Sequence, residues 1–386
     1  MLRAVCAFLF FAILLPAPSP ACSLCGSIIK RNTFGQDVDL AAVVLFGKVT
    51  DSRLSTDPDA LPGSGSSDFT IERVLKGDPA HVAKKQIQLA GYIPVLDKKA
   101  PPSFVMFLDV AKSDLSPRGG REIRSAAMLN YVDKSIAQRA KKDRVAALLF
   151  YARYLGDADD AIAEDAFLEF AKSSDVEVGD AAAKLDPALF RKLIEDPKTP
   201  PDRLSLFAFL LAGRMDQTQA DFLKNLLDHP NDRTQEALDG ILCGYITLSP
   251  DDGWARVNRL LSDGKQSFKT RSNVLRTVRF FFNWKPKETR ADVALALKGM
   301  IETDLADLAI EDLRRWKLFD HSDLIFKQYA RPGFDAPIIR RSIIRYALVA
   351  ERDPAAKSTA SRFLKSLPAK DQEVVRDVAE GLALER

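Results

Sequence analysis

The chain has 386 residues, with 56 Lys and Arg against 53 Asp and Glu, which gives a formal net charge of +3. The excess is small and the basic residues are scattered, so the sequence has no concentrated basic stripe of the kind found in nucleic-acid-binding proteins. Nucleic acid is therefore not an expected partner. Hydrophobic residues make up 46% and charged residues 28%, which is typical of a globular chain with a real core and excludes a disordered one. The length allows two or three domains.

The first 21 residues have the pattern of a secretory signal peptide. Arg3 precedes an apolar run at residues 5–15, and a small-x-small triplet, Ser-Pro-Ala, closes the segment. The run is shorter than the roughly 20 residues of a membrane-spanning helix. We therefore expect export, no transmembrane span in the mature chain, and Cys22 as its first residue. A lipid anchor on Cys22 is less favoured, because Ser19 stands where a lipobox has an aliphatic residue.

A region of short apolar runs and turn residues follows, from about residue 38 to residue 126, and it predicts β-structure. Strands are predicted at residues 40–49, 69–75, 86–89 and 103–109. Residues 51–68, rich in Gly, Ser and Pro, are predicted to be an exposed loop. A few short strands in about 90 residues suit a small barrel or sandwich. We place this β domain at residues 22–127.

From about residue 132 the apolar spacing becomes helical and stays so to the end of the chain. Val145, Leu148, Leu149 and Ala152, for example, fall at i, i+3, i+4 and i+7. Asp-Pro and Pro-Pro pairs separate such stripes and predict about twelve to fourteen short helices. Successive helix pairs over residues 128–386 suggest an α-solenoid, with a non-repeating helical bundle as the alternative.

One helical segment resembles a known repeat family. Residues 335–348 have a proline turn, the basic pair Arg340 and Arg341 and an apolar stripe, and they resemble the second helix of a HEAT repeat. Residues 271–278 resemble it more faintly. The resemblance implies antiparallel helix pairs that form a curved surface for a protein partner, without catalytic activity. Arg340 and Arg341 are candidate partner-binding residues, as are Phe281 and Trp284 if their helix lines a groove instead of the core.

The β domain resembles the netrin-like module, also found in tissue inhibitors of metalloproteinases. The resemblance is carried by the N-terminal cysteines and the strands at residues 43–49 and 69–78. It implies an OB-type barrel with the cysteines pinned to its edge, and in the inhibitor branch an N-terminal Cys amine and carbonyl that chelate a protease's zinc. Only Cys22 could carry that role here. The chain departs from the pattern with Cys-x-x-Cys and with no cysteine between Cys25 and Cys243.

The pair Cys22 and Cys25 permits several chemistries. A local disulfide is the leading interpretation, because an exported protein meets an oxidising environment. No metal is expected, since a metal site needs two further ligands and the histidines, at positions 81, 229 and 321, stand alone. A thiol redox centre would need a thioredoxin-like context, which the sequence after Cys25 lacks. Cys243 is predicted to be a buried, apolar helix residue.

No catalytic residue and no cofactor are predicted, because the sequence has no zinc-protease motif, phosphate-binding loop or nucleophile elbow. The expected fold is α+β and multidomain, with a small OB-type β-barrel before an all-α HEAT-like array. The sequence favours an exported, non-enzymatic protein-binding or scaffolding protein. Two alternatives stay open: a metalloprotease inhibitor that acts through Cys22, and a periplasmic thiol–disulfide protein that uses Cys22 and Cys25.

Overall fold

The computed structural model describes residues 22–25, 31–78, 85–111 and 114–385. The predicted signal peptide and His81 lie outside the described residues. Within these residues an antiparallel sheet of five strands is followed by seventeen helices, which confirms the α+β architecture. Among the helices described, none combines the length and the apolar character needed to cross a membrane.

The sheet has the strand order β3-β2-β1-β4-β5. Its strands are β1 (Val43–Leu54), β2 (Gly65–Lys76), β3 (Gln86–Ala90), β4 (Ser103–Ala111) and β5 (Asp114–Glu122). The four predicted strands are all present. The fifth, β5, escaped prediction because it contains Pro117 and two glycines, residues that a sheet tolerates best at an edge.

The loop predicted at residues 51–68 is shorter than expected, because residues at both of its ends belong to strands. β1 and β2 form a long hairpin in which Ser52 pairs with Ser67 and Leu54 with Gly65, so only residues 55–64 connect them. The Ser52 and Ser67 side-chain oxygens lie 3.1 Å apart across the ladder. Short polar side chains at the ends of two paired strands have the composition of a loop, and only the pairing shows them to be β-structure.

The predicted barrel is not closed. In the described residues the edge strands β3 and β5 come close to each other, but no hydrogen-bonded ladder joins them. One face of the sheet covers a small core that includes Leu45, Phe69 and Met106. The other face, with Val44 and Phe107, joins the core of the helices. Because both faces are buried, β1 has a continuous apolar run instead of an alternating one.

A helix that was not predicted, α1 (Phe34–Leu40), precedes the sheet. Its start is a capping box: the Thr33 hydroxyl accepts a hydrogen bond from the Gln36 backbone N–H at 3.1 Å, and the Gln36 side chain accepts one from the Thr33 backbone N–H at 3.2 Å. This Thr-x-x-Gln spacing is a recognised helix-start signal.

The helical domain starts at residue 126 and contains more helices than predicted. Its helices are α2 (Ala126–Ala140), α3 (Arg144–Tyr151), α4 (Asp160–Ala171), α5 (Asp175–Ala182), α6 (Pro187–Glu195), α7 (Pro201–Ala212), α8 (Ala220–Asp228), α9 (Asp232–Glu236), α10 (Leu238–Leu248), α11 (Pro250–Ser262), α12 (Phe268–Trp284), α13 (Arg290–Met300), α14 (Ala306–Arg315), α15 (Ser322–Gln328), α16 (Pro337–Ala350), α17 (Lys357–Ser366) and α18 (Gln372–Leu384). The Asp-Pro signal works as expected at α6, where the Asp186 carboxylate accepts a hydrogen bond from the Ala188 backbone N–H at 3.0 Å.

Neighbouring helices pack in pairs, and helices separated by one or two others also contact one another, as in the series α7, α10 and α12 and the series α14, α16 and α18. α10 lies very close to α7, since a Cβ on Gly240 would stand 2.0 Å from the Ser205 backbone oxygen. α5 contacts α3 and α7 and also reaches α12. One continuous apolar core therefore runs through the helical domain.

Candidate functional site: the docked N-terminal segment and its groove

Residues 22–25, called here the N-terminal segment, pack against helices and not against the edge of a barrel. The Cys22 backbone nitrogen donates to the Ala171 carbonyl oxygen at the end of α4, at 3.1 Å. The Ser23 backbone nitrogen and hydroxyl donate to the two carboxylate oxygens of Asp175, at 2.8 and 2.6 Å. The side chains of Cys22, Leu24 and Cys25 are buried. The netrin-like resemblance implies cysteines pinned to the edge of a barrel, and this expectation is wrong. The segment that carries them packs against α4 and α5.

Asp175 is the anchor of the segment. It is the first residue of α5, whose start is fixed by a capping box between Ser174 and Glu177. The Asn283 amide of α12 also donates to Asp175, at 3.1 Å. Burial raises the pKa of this carboxyl, while the hydrogen bonds from Ser23 and Asn283 oppose the rise. A buried carboxylate with neutral donors thus joins the segment to two helices.

The two cysteines of the segment face each other. Their Sγ atoms lie 3.0 Å apart, and the Cys25 backbone N–H donates to the Cys22 carbonyl at 3.2 Å, which closes a turn. Both are free thiols in the structure, so the predicted disulfide is not formed there. Burial, followed by the effect of Cys22, raises the pKa of the Cys25 thiol well above its ordinary value. Such a thiol is a poor nucleophile at neutral pH.

A second buried carboxylate lies close to the segment. Asp239 of α10 accepts hydrogen bonds from the Ser205 hydroxyl at 2.6 Å and from Arg276 Nε at 2.7 Å. Cys243 lies one turn further along α10 and is fully buried, which confirms the prediction for it. Burial raises the pKa of the Cys243 thiol, and Asp239 raises it further. Within the described parts of the chain, no group of three or more His, Cys, Asp or Glu residues could hold a metal ion.

A groove of about 470 Å³ opens beside the segment. Leu24 and Cys25 form one wall, and α7, α9 and α12 supply the rest with Asp202, Ser205, Glu236, Phe268, Lys269, Ser272, Asn273 and Arg276. Phe268, the first residue of α12, is 63% exposed. Lys269 Nζ lies 3.4 Å from the Glu236 carboxylate. The groove therefore combines one exposed aromatic ring with charges of both signs.

The aromatic residues predicted for a groove pack elsewhere. Phe281 is 3% exposed, and both it and Trp284 belong to a ring cluster with Phe280. Trp284 packs on α5, where a Cβ on Gly179 would stand 2.0 Å from its Nε1 atom. Neither side chain lines the groove. Trp284 thereby holds α12 against α5, and this contact in turn positions Asn283 beside Asp175.

Arg340 and Arg341, the other predicted partner-binding residues, lie on α16 and have partners within the chain. The Arg340 guanidinium lies over the Tyr329 ring, 5.2 Å from its centre. Arg341 Nη2 lies 3.9 Å from the Asp377 carboxylate. Neither residue lines the groove beside the N-terminal segment.

Sequence analysis missed the residues that build the site, apart from the two cysteines. A local signal existed for Asp175, because Ser174-x-x-Glu177 has the capping-box spacing that marks a helix start. No signal connects Asp175 with Ser23, which is 152 positions away. Comparisons with models of protein families, with curated proteins and with solved structures find no match for this chain. Function is therefore inferred from the geometry of the chain itself.

Proposed function

We propose that the chain is an exported, non-enzymatic binding protein that holds a segment of a protein partner in the groove beside residues 22–25. One observation carries the proposal. The helical domain already binds a short piece of polypeptide, its own N-terminal segment, through the main chain and hydroxyl of Ser23 and through buried apolar side chains. The groove continues from that bound piece.

The lining of the groove defines the chemistry of the partner. The exposed Phe268 ring offers an apolar contact, and Asp202 offers carboxylate oxygens to N–H groups, as Asp175 does for Ser23. A polypeptide that presents an apolar side chain beside unpaired N–H groups satisfies both. We extend the proposal to the fold: the two rows of helices in contact, α7–α10–α12 and α14–α16–α18, support a HEAT-like solenoid, whose exposed surface suits an elongated partner.

The position of Cys22 supports export with cleavage after residue 21. A new α-ammonium group at Cys22 would stand at the C-terminal end of α4, beside the Ala171 carbonyl, where the helix dipole favours positive charge. The same contact disfavours a metalloprotease inhibitor, since that nitrogen would have to leave Ala171 to reach a zinc ion. The raised pKa of the Cys25 thiol likewise disfavours a thiol–disulfide catalyst.

A displayed peptide library, selected on the mature full-length protein, tests the proposal. We expect enriched peptides whose affinity falls at least about tenfold with Phe268→Ala, as for a central aromatic contact. Leu295→Ala is the matched control, because Leu295 is an exposed apolar residue of α13 that does not line the groove. Failure to enrich any peptide, or equal affinities for the two variants, would reject the groove as a binding site.

A further inference from the structure

We propose that Cys22 and Cys25 are a modification site, where an intramolecular disulfide forms in an oxidising environment and fixes one wall of the groove. The geometry of the turn supports the bond. The Sγ atoms are 3.0 Å apart, and the hydrogen bond from Cys25 N–H to the Cys22 carbonyl holds the ends of the turn together. The Cα atoms of residues i and i+3 in such a turn are less than about 7 Å apart, which includes the range that a disulfide spans.

The surroundings slow the reduction of the bond once it has formed. Cys22 and Cys25 are 2% and 1% exposed, so soluble reductants have little access to the bond once the segment is docked. Asp175 and Asp239 lie close enough to Cys25 to oppose the formation of a thiolate. A disulfide carries no ionisable proton and is insensitive to that unfavourable field. Burial and charge therefore both act to preserve the bond.

The oxidant required is a small-molecule disulfide such as oxidised glutathione. One cysteine thiolate attacks a sulfur of that disulfide, releases one glutathione thiol and forms a mixed disulfide. The second cysteine then attacks the protein sulfur of the mixed disulfide and releases the second glutathione thiol. The cysteine pair loses two electrons and two protons, and the small disulfide gains them as two thiols. The reaction takes place before the segment docks, or during local opening, because the docked thiols are buried.

The effect on the groove rests on the proposed function. Leu24 and Cys25 form one wall, and Ser23 between the cysteines holds Asp175. A covalent link across the four residues removes most conformations of the free segment, so less entropy is lost when it docks. The oxidised protein then presents a pre-formed wall to the partner, and the reduced protein must order that wall on binding.

Thiol alkylation of the exported full-length protein under denaturing conditions, followed by intact mass and peptide mapping, tests the bond. Without reductant we expect alkylation at Cys243 alone, and with reductant alkylation at Cys22, Cys25 and Cys243. Cys243→Ser should leave the bond intact, whereas Cys22→Ser should leave Cys25 open to alkylation. Alkylation of Cys22 and Cys25 without reductant, or a bond from either one to Cys243, would overturn the proposal.

Binding of a peptide selected in the experiment above separates this inference from the proposed function. We expect reduction of the wild-type protein to weaken peptide binding about three- to tenfold, and reduction of the Cys22→Ser/Cys25→Ser variant to have no effect. If that variant does not fold, the comparison of oxidised with reduced wild-type protein still tests the inference. A mapped bond without any peptide binding would reject the binding function alone. Peptide binding by the exported protein, together with alkylation of its Cys22 and Cys25 without reductant, would reject the bond alone.

Discussion

The junction between the sheet and the helices and the docking site of the N-terminal segment both bury a carboxylate, but they satisfy it differently. At the junction, Asp165 of α4 accepts hydrogen bonds from the Tyr131 hydroxyl and the Phe34 backbone N–H, each at 2.7 Å. It also pairs with Arg121 of β5 at 3.3 Å. At the docking site, Asp175 accepts hydrogen bonds from neutral groups of Ser23 and Asn283.

The junction is held more firmly than the docking site. Arg121 also reaches Asp37 of α1 at 2.6 Å, so charge pairs join β5, α1 and α4 into one network. The loss of Arg121 would leave the buried Asp165 carboxylate without a cationic partner, which is costly. A carboxylate held by neutral donors loses less when one donor moves away. The docking site is therefore the more easily opened region.

The largest expected effect is that of Asp165→Ala. The substitution leaves the Tyr131 hydroxyl and the Phe34 N–H without their acceptor, while Arg121 keeps Asp37, and we expect a loss of about 2–5 kcal/mol of unfolding free energy at neutral pH. Urea denaturation measures it. Asp165→Asn keeps the size and one acceptor oxygen and should lose less. A loss below about 1 kcal/mol for the alanine variant would show that the network does not hold the junction together.

Stability should depend on pH at the junction. Burial raises the pKa of Asp165 to about 6, with the hydrogen bonds from Tyr131 and Phe34 opposing the rise. Between about pH 4 and pH 6 the folded protein therefore holds a proton that the unfolded chain has lost, so this carboxyl makes stability fall as the pH rises. The expected contribution is about 2–3 kcal/mol. Identical pH slopes in urea denaturation of wild type and Asp165→Asn would contradict it.

A smaller loss is expected at the docking site. Asp175→Asn replaces one of the two oxygens that Ser23 uses, and we expect about 1–3 kcal/mol of destabilisation. The backbone amide of Ser23 should also exchange its hydrogen faster with solvent. Asp180→Asn, at an exposed position of the same helix, is the control and should stay within about 0.5 kcal/mol of wild type. A larger loss here than for Asp165→Ala would reverse the comparison between the two regions.

The smallest effect is expected where α1 begins, close to the junction. Thr33→Ala removes the hydroxyl that caps the Gln36 N–H, and a lost helix cap costs about 1 kcal/mol. Thermal or urea denaturation measures the loss, and Thr33→Ser, which keeps the hydroxyl, should recover most of it. Equal losses for alanine and serine would assign the effect to the buried methyl group of Thr33 instead of the cap.

Prediction from the sequence succeeded where the signal was local and failed where one pattern fits two structures. Short apolar runs bounded by turn residues located β1 to β4, while β5 was missed because its Pro117 and glycines are typical of a loop. The helical spacing of Phe281 and Trp284 suits a groove as well as a core, and only their contacts with Phe280 and Gly179 decide for the core. Cys22 and Cys25 were found as a pair, because their spacing is local.

Local sequence patterns are enough to specify that a β region precedes a long helical region and that two cysteines lie within one turn of each other. Both follow from interactions between residues close in the chain, such as side-chain periodicity and caps. Two further features follow only from tertiary packing. The described strands form an open sheet, and Asp175 and Asn283 form hydrogen bonds with Ser23. Tertiary packing also decided that Phe268 faces a groove. These features depend on contacts between residues more than a hundred positions apart, or on the packing of whole helices, and no local pattern encodes them.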